Sequence, residues 1–304
     1  VQIDLEKAFS RDLAFNDNVD ANILFLARIP RIILAALTGA ALSVAGAILQ
    51  SLLRNDLAAP FTLGVSSGAA LGAVIAMSLG LPYSIAGIPT VPIAAFLGSL
   101  GAISLVFSLA RTRTGEFPTP ILLLAGVTAN FFFASLVMLI HYLSDFTQSF
   151  RIVRWLMGGL DITSYKTLIS ISPMIFFGFG VLMLYGRDFN VISTGIQSAM
   201  SRGVEVIKVQ KIGFIMASLL TGAVVAFSGP IGFVGLIVPH IVRLIVGPDL
   251  RILLPASIFF GASFLIICDT LARTIIAPTE IPVGIITAML GGPFFVWLLK
   301  RPKS

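Results

Sequence analysis

The sequence predicts an all-α, polytopic membrane protein with nine spans, and three observations carry that prediction. Hydrophobic residues make up 57% of the 304 residues, and mean hydropathy is +1.01. Charged residues make up 11%, under half of the about 25% usual in soluble domains. The charges are spaced so that uncharged runs of about 20 residues, the length that crosses a hydrocarbon layer, fall between them. Net charge is +6, but the basic residues are scattered along loops, as positive-inside bias requires, and predict no nucleic-acid partner. The single Cys268 excludes a disulfide framework, argues against a Cys-based metal site and reads as inert packing.

The spans follow in order. Between Arg31 and Arg54 lie 22 uncharged residues, one span. Residues 57–110 hold 54 without a charge, enough for two, with Pro82, Gly87, Pro89 and Pro92 at the turn between them. Residues 117–144 and 167–186 give one span each. Residues 212–242 hold a full span to about Ser228, then a Gly-Pro break and a shorter helix. Residues 252–275 and 281–299 complete nine, one of them short. Residues 1–30 contain nothing long enough to span and read as an outer segment, leaving 31–304 as the membrane domain. The chain begins on Val1, so a segment upstream is expected to be missing.

Between two apolar halves, about 31–185 and 212–299, lies a polar island at 186–211 with six charges in 26 residues. If the island is cytoplasmic, the segments on its side carry 12 of the 20 Lys and Arg residues. The outer side then holds seven, with Arg273 near the outer end of a span. That bias places the island in the cytoplasm. Leu37-Thr38-Gly39-Ala40, with Gly46 and Ile48, recurs 183 residues on as Leu220-Thr221-Gly222-Ala223, with Gly229 and Ile231. An odd number of helix steps separates the copies, so they cross in opposite directions, as in inverted-repeat transporters.

Several runs resemble one family. Ala45-Gly46-Ala47-Ile48-Leu49-Gln50, Asn55-Asp56-Leu57-Ala58 and Pro60-Phe61-Thr62-Leu63-Gly64-Val65-Ser66-Ser67-Gly68-Ala69 are similar to permease subunits of FecCD-type ABC importers. That family serves iron-siderophore, haem and vitamin B12 uptake. The resemblance continues through Trp155-Leu156-Met157-Gly158-Gly159, Gly229-Pro230-Ile231-Gly232-Phe233, Glu280-Ile281-Pro282-Val283-Gly284 and Gly291-Gly292-Pro293-Phe294. It covers about 24–301 and implies a type II importer permease of ten helices, the first missing here. Two departures stand out. Asp56 sits where the family usually has Pro, and Ser201-Arg202 precede Gly203 where Leu is common.

The resemblance also implies partners: a second copy of the chain, two cytoplasmic ATPase subunits and an outer substrate-binding protein, all at a bacterial or archaeal inner membrane. ATP and Mg belong to the ATPases, since the chain has no G-x-x-x-x-G-K-[ST] and binds no cofactor. The island becomes the coupling element, two short helices that dock into the ATPase. Gly195 and Gly203 bracket it, Ala199 lies midway on a small-residue face, and Arg202 and Glu205 form the rim. Arg28, Arg31 and Arg273 match arginines that receive carboxylates of the binding protein, which a planar guanidinium grips in bidentate fashion. The helix from Gly126 to His141 lines the pathway, giving Asn130, Phe131, Ala134 and Met138 as candidates.

Rival readings remain. Asp269, four residues before Arg273, could pair with it or act as a proton relay in an ion-coupled transporter. His141 alone is a weak metal ligand, and the role of His240 is open. An intramembrane enzyme would need a convergent catalytic set, which the spans do not hold. Ferric siderophore is the expected cargo, with haem, cobalamin and molybdate as alternatives.

Overall fold

The computed structural model describes residues 4, 7, 18–82, 84, 85, 88–112, 117–160 and 164–300. The loop charges Arg113 and Glu116, the tail beyond Lys300 and most of the first 17 residues lie outside them. Twelve helices follow in chain order: α1 Val19–Leu53, α2 Val65–Ser78, α3 Thr90–Ala110, α4 Thr119–Leu143, α5 Phe146–Leu156, α6 Tyr165–Leu184, α7 Gly186–Thr194, α8 Ile196–Ser201, α9 Val206–Ser228, α10 Val234–Val246, α11 Leu250–Thr274 and α12 Val283–Lys300. A two-residue antiparallel pair, Ser84–Ile85 with Ile88–Pro89, precedes α3.

Among the described residues, six helices are long and apolar enough to cross a membrane: α1, α3, α4, α6, α9 and α11. Two shorter apolar helices, α2 and α10, and the 18-residue α12 complete nine. The sequence predicts one short helix; α2, at 14 residues, is a second beside the 13-residue α10. The long uncharged run at 57–110 misleads because its first residues are not helical: a 3-10 turn at Pro60–Leu63 uses apolar chain before α2 begins.

The start of the first span also differs. Asn18 caps α1 by accepting a hydrogen bond from the Ala21 N–H at 3.0 Å, and the helix runs unbroken past residue 31 to Leu53. Arg28 and Arg31 therefore lie within a helix, and the 30/31 boundary falls inside it. The turn Ile23–Arg28 is π-helical, directly ahead of Pro30. A proline ring crowds the carbonyl four residues back and offers no N–H, and a widened turn accommodates both defects.

From Thr38 to Leu53 every residue of α1 is buried, the mark of a helix enclosed by others on all sides. It packs against α11, α9, α10 and α6. Its small residues permit this: a Cβ on Gly39 would collide with the Gly261 carbonyl in α11, and one on Gly46 with Gly235 in α10. Close backbone contact of this kind replaces the hydrophobic drive that lipid does not supply.

The two halves share an order: long α1, short α2, long α3, and long α9, short α10, long α11. α2 packs on α3, and α10 on α11, while α1 packs on α11 and α9 on α3. The first half of α1 passes Glu280 at Arg31, and the helix ends beside Asp56, which Arg243 pairs with. α9 starts beside α8 and ends at Gly229, against Trp155 and Gly158. Trp155-Gly159 lies by the Arg31–Glu280 cleft, so α1 and α9 run in opposite directions.

Candidate docking and coupling sites

At the end of the bundle where α1 begins, the arginines expected at the outer surface meet two carboxylates. Arg31 donates from Nε and Nη2 to Asp269 Oδ1 at 3.0 and 2.9 Å, and from Nη1 to Glu280 Oε2 at 2.7 Å. Arg273, one turn after Asp269 on α11, approaches its other oxygen, Oδ2, at 3.0 Å. The expected Asp269–Arg273 pair is present, and Arg31 is a third member. Arg31 is thus engaged within its own chain. The Asp269 side chain is 2% exposed and that of Glu280 50%. Removing one member of a buried ion cluster leaves the others uncompensated, a loss of about 3–5 kcal/mol. Arg28 lies half-buried one turn before Arg31.

A cleft of about 460 Å³ opens beside this cluster, lined by Arg31, Phe150, Val153, Arg154, Glu280 and Ile281 among others. Its wall is α5, which falls between the expected spans 117–144 and 167–186, where no element was assigned from sequence. Asp145 caps it, accepting from the Gln148 N–H at 2.8 Å, and Ile152 anchors it, fully buried. The three motifs at 155–159, 229–232 and 280–284 converge here. Gly159 N–H donates to the Ser228 carbonyl at 2.8 Å and Gly284 N–H to the Gly158 carbonyl at 3.3 Å. Gly158 and Gly229 adopt φ +72 and +65, and a Cβ on either would meet the other's backbone stretch, so both requirements select glycine.

At the opposite end, α7 and α8 form two short helices broken at Gly195. Phe189, Ile192 and Ala199 are fully buried, whereas Arg187, Gln197, Met200, Arg202, Gly203 and Glu205 are exposed. Ala199 therefore does not belong to an outward docking face. It packs into the core and seats α8, and the outward surface is made by its neighbours. Gly195 and Gly203 are the turning points, at φ +141 and +79. Glu205 pairs with Lys208 at 3.7 Å on an exposed surface, a contact that contributes little to stability.

Two polar clusters hold this end together, and neither was assigned from sequence. Asn190 on α7 donates to Asp249 Oδ1 at 2.6 Å and accepts from the Leu250 N–H at 2.8 Å. Arg251 closes on Asp249 with an Nη2–Oδ2 distance of 2.7 Å. Hydrogen bonds from the Arg251 side chain, then its backbone, then Asn190, hold the Asp249 carboxyl well below the usual carboxylate range. Asp56, noted as a departure from the family, pairs with Arg243 of α10 at 2.6 Å, and Arg243 also donates to Gln50 at 3.1 Å.

The pathway candidates on α4 separate into two kinds. Asn130 donates to the Phe61 carbonyl at 2.7 Å and accepts from the Ser67 hydroxyl at 2.6 Å. Its amide clamps the 3-10 turn and α2 to α4. Phe131, 73% exposed, and Met138, 72% exposed, share an exposed stripe with Ala134. Phe133, by contrast, is buried. Among the described residues no three His, Cys, Asp or Glu side chains gather at one point.

The sequence profile of the FecCD transport family matches residues 1–301. The chain belongs to that family. The hemin transport system permease HmuU of Yersinia pestis is 41% identical over 91% of this chain and 83% of its own length. The cobalamin import system permease BtuC of Halobacterium salinarum is 44% identical, covering 90% of this chain and 72% of that one. Among solved structures, one described as an inward-facing conformation of a "metal-chelate type ABC transporter" matches with a TM-score of 0.86 and 30% identity. That match covers 97% of this chain and 95% of the other. The FecCD chain described here is thus a multi-pass membrane permease with the fold of an ABC importer.

Proposed function

We propose that this chain is the membrane-spanning permease of an ATP-driven importer of metal chelates, with a ferric siderophore as cargo. Two copies would form the pathway, with two ATPase subunits on the α7–α8 side and a substrate-binding protein on the Arg31 side, in the cytoplasmic membrane of a bacterium or archaeon. The observation that carries the reading is the near full-length structural match to a metal-chelate type ABC transporter. The FecCD relatives named above carry haemin and cobalamin in their names, both large complexes of a metal. The apolar α4 stripe of Phe131, Ala134 and Met138 suits such cargo, because it offers no charge to hold a chelate in transit. Arg202, Gly203 and Glu205, exposed beside the anchored α8, supply the ATPase contact. Arg28, Arg31 and Arg273 supply the contact with the binding protein.

Nothing in the geometry favours an ion-coupled transporter. Asp269 has both oxygens committed to guanidiniums and lies one turn from the end of α11, away from the midplane where a relay would act. Proteoliposomes holding the permease, its ATPase and its binding protein provide the test. Ferric siderophores, haem, cobalamin and molybdate would each be added and ATP hydrolysis followed, then uptake of any stimulating ligand. Uptake of a chelate that needs ATP and survives a proton uncoupler is expected. Uptake abolished by the uncoupler, with no ATPase association, would overturn the reading.

A further inference from the structure

We propose that Glu280 is an exchangeable stand-in for the binding protein's carboxylate, so that docking at Arg31 proceeds by replacement of Glu280. The inference rests on the docking role given to Arg31 above. Arg31 has two carboxylate neighbours of opposite character. Asp269 takes Nε and Nη2 and is 2% exposed, while its second oxygen holds Arg273. Glu280 takes only Nη1, at 2.7 Å, and is 50% exposed. One carboxylate is fixed in the fold and the other can leave it.

Asp269 holds Nε and Nη2 of Arg31, and Glu280 holds Nη1, so a visiting carboxylate reaches Arg31 most directly by taking the place of Glu280. The visitor inherits a charge-assisted hydrogen bond, and the exchange of one carboxylate for another leaves the local charge unchanged. The cleft of about 460 Å³ supplies the space: Glu280 lines it together with Phe150, Val153, Arg154 and Ile281. The backbone next to Glu280 is tied down, because the Ile281 N–H donates to the Ala272 carbonyl at 3.0 Å. The side chain can therefore swing without moving the chain between α11 and α12. When the partner leaves, Glu280 returns and no bare guanidinium faces the water. Asp269 acts as the positioning residue that keeps Arg31 aimed throughout.

The test measures affinity of the assembled transporter in nanodiscs for its own substrate-binding protein, across a range of NaCl concentrations. Glu280→Gln should bind about fivefold more tightly, with affinity falling more steeply in salt, because a guanidinium is unmasked. Asp269→Asn removes the same charge yet should weaken docking, because it releases both arginines. Opposite signs from two equal charge changes separate exchange from a bulk charge effect. Equal tightening by both variants, or unchanged affinity and salt slope in Glu280→Gln, overturns the proposal. Where Asp269→Asn fails to assemble, the salt slope of Glu280→Gln decides alone. Arg31→Ala distinguishes the two levels: weakened docking with an inert Glu280→Gln sinks the exchange only, whereas docking indifferent to Arg31→Ala sinks the docking role itself.

Discussion

Asp269 shows how one side chain can organise a surface while remaining out of reach of solvent. Its two oxygens serve different arginines, Oδ1 for Arg31 and Oδ2 for Arg273, so its loss frees both at once. Asp269→Asn should destabilise the solubilised protein by about 3 kcal/mol or more, measured as a fall in denaturation midpoint, while Glu280→Gln, half exposed, should cost much less. Asp249 makes a prediction about pH. Its folded carboxyl sits below the usual range because Arg251 and Asn190 donate to it, so its contribution is complete above the unfolded value of about 4. It diminishes as pH falls from there toward the lower folded value. Thermal melts of wild type and Asp249→Asn should differ at neutral pH and draw together as pH falls below about 4. A gap that stays constant with pH would remove the titration argument. The Asp269–Arg273 pair was legible because residues four apart share a helix face. The Arg31–Asp269 bond was not, since 238 residues separate its ends and only the folded bundle brings them together.

At the scale of elements, the proposed coupling region, α7 and α8, divides into an anchor and a surface. Phe189, Ile192 and Ala199 hold α7 and α8 against the bundle, and Asn190 ties α7 to the start of α11. Ala199→Leu should therefore act from within: overfilling a closed site costs about 1–3 kcal/mol and lifts α8 from its seat. ATPase association should fall strongly in Ala199→Leu, and pull-down of the ATPase on the solubilised permease would report it. Arg202→Ala, an exposed change, should leave the fold intact and weaken association to a smaller degree. Retained association in Ala199→Leu would mean that α8 is not part of the contact. The two Gly breaks and the polar composition were readable in advance, but the direction of Ala199 was not. A six-residue helix is too short for periodicity to fix its inner face, and burial decides it. α5 was missed for the opposite reason. With Arg151 and Arg154 in it, 145–156 is too polar to count as a span, although the Asp145 cap and the buried Ile152 belong to an amphipathic helix.

For the whole molecule, the crossed packing of α1 on α11 and α9 on α3 ties the two inverted halves together, with Gly39, Gly46 and Gly222 at points of close approach. Hydropathy located these spans because each is apolar along its length, yet it could not say which faces meet lipid, the second copy or the cargo, since all three favour apolar side chains. The geometry of α4 narrows the choice. Its buried arc runs through Leu122, Ala125, Gly126, Ala129, Phe133 and Val137, and the opposite exposed arc is wide. Phe131, Ala134 and Met138 run from the middle of that arc to one edge, and Phe132 and Leu139 lie at the other edge, about 80–100° from Phe131. If the pathway runs between two copies, one edge faces water during transport and the other faces lipid or protein throughout. Cysteines placed singly at 131, 134 and 138 should react with a hydrophilic thiol reagent in the assembled transporter, faster when ATP turns over. Cysteines at 132 and 139 should stay silent, and the native Cys268, fully buried, contributes no background. Equal reactivity at both edges would place the pathway elsewhere, and reactivity at 132 and 139 alone would reverse the face that α4 turns to the cargo.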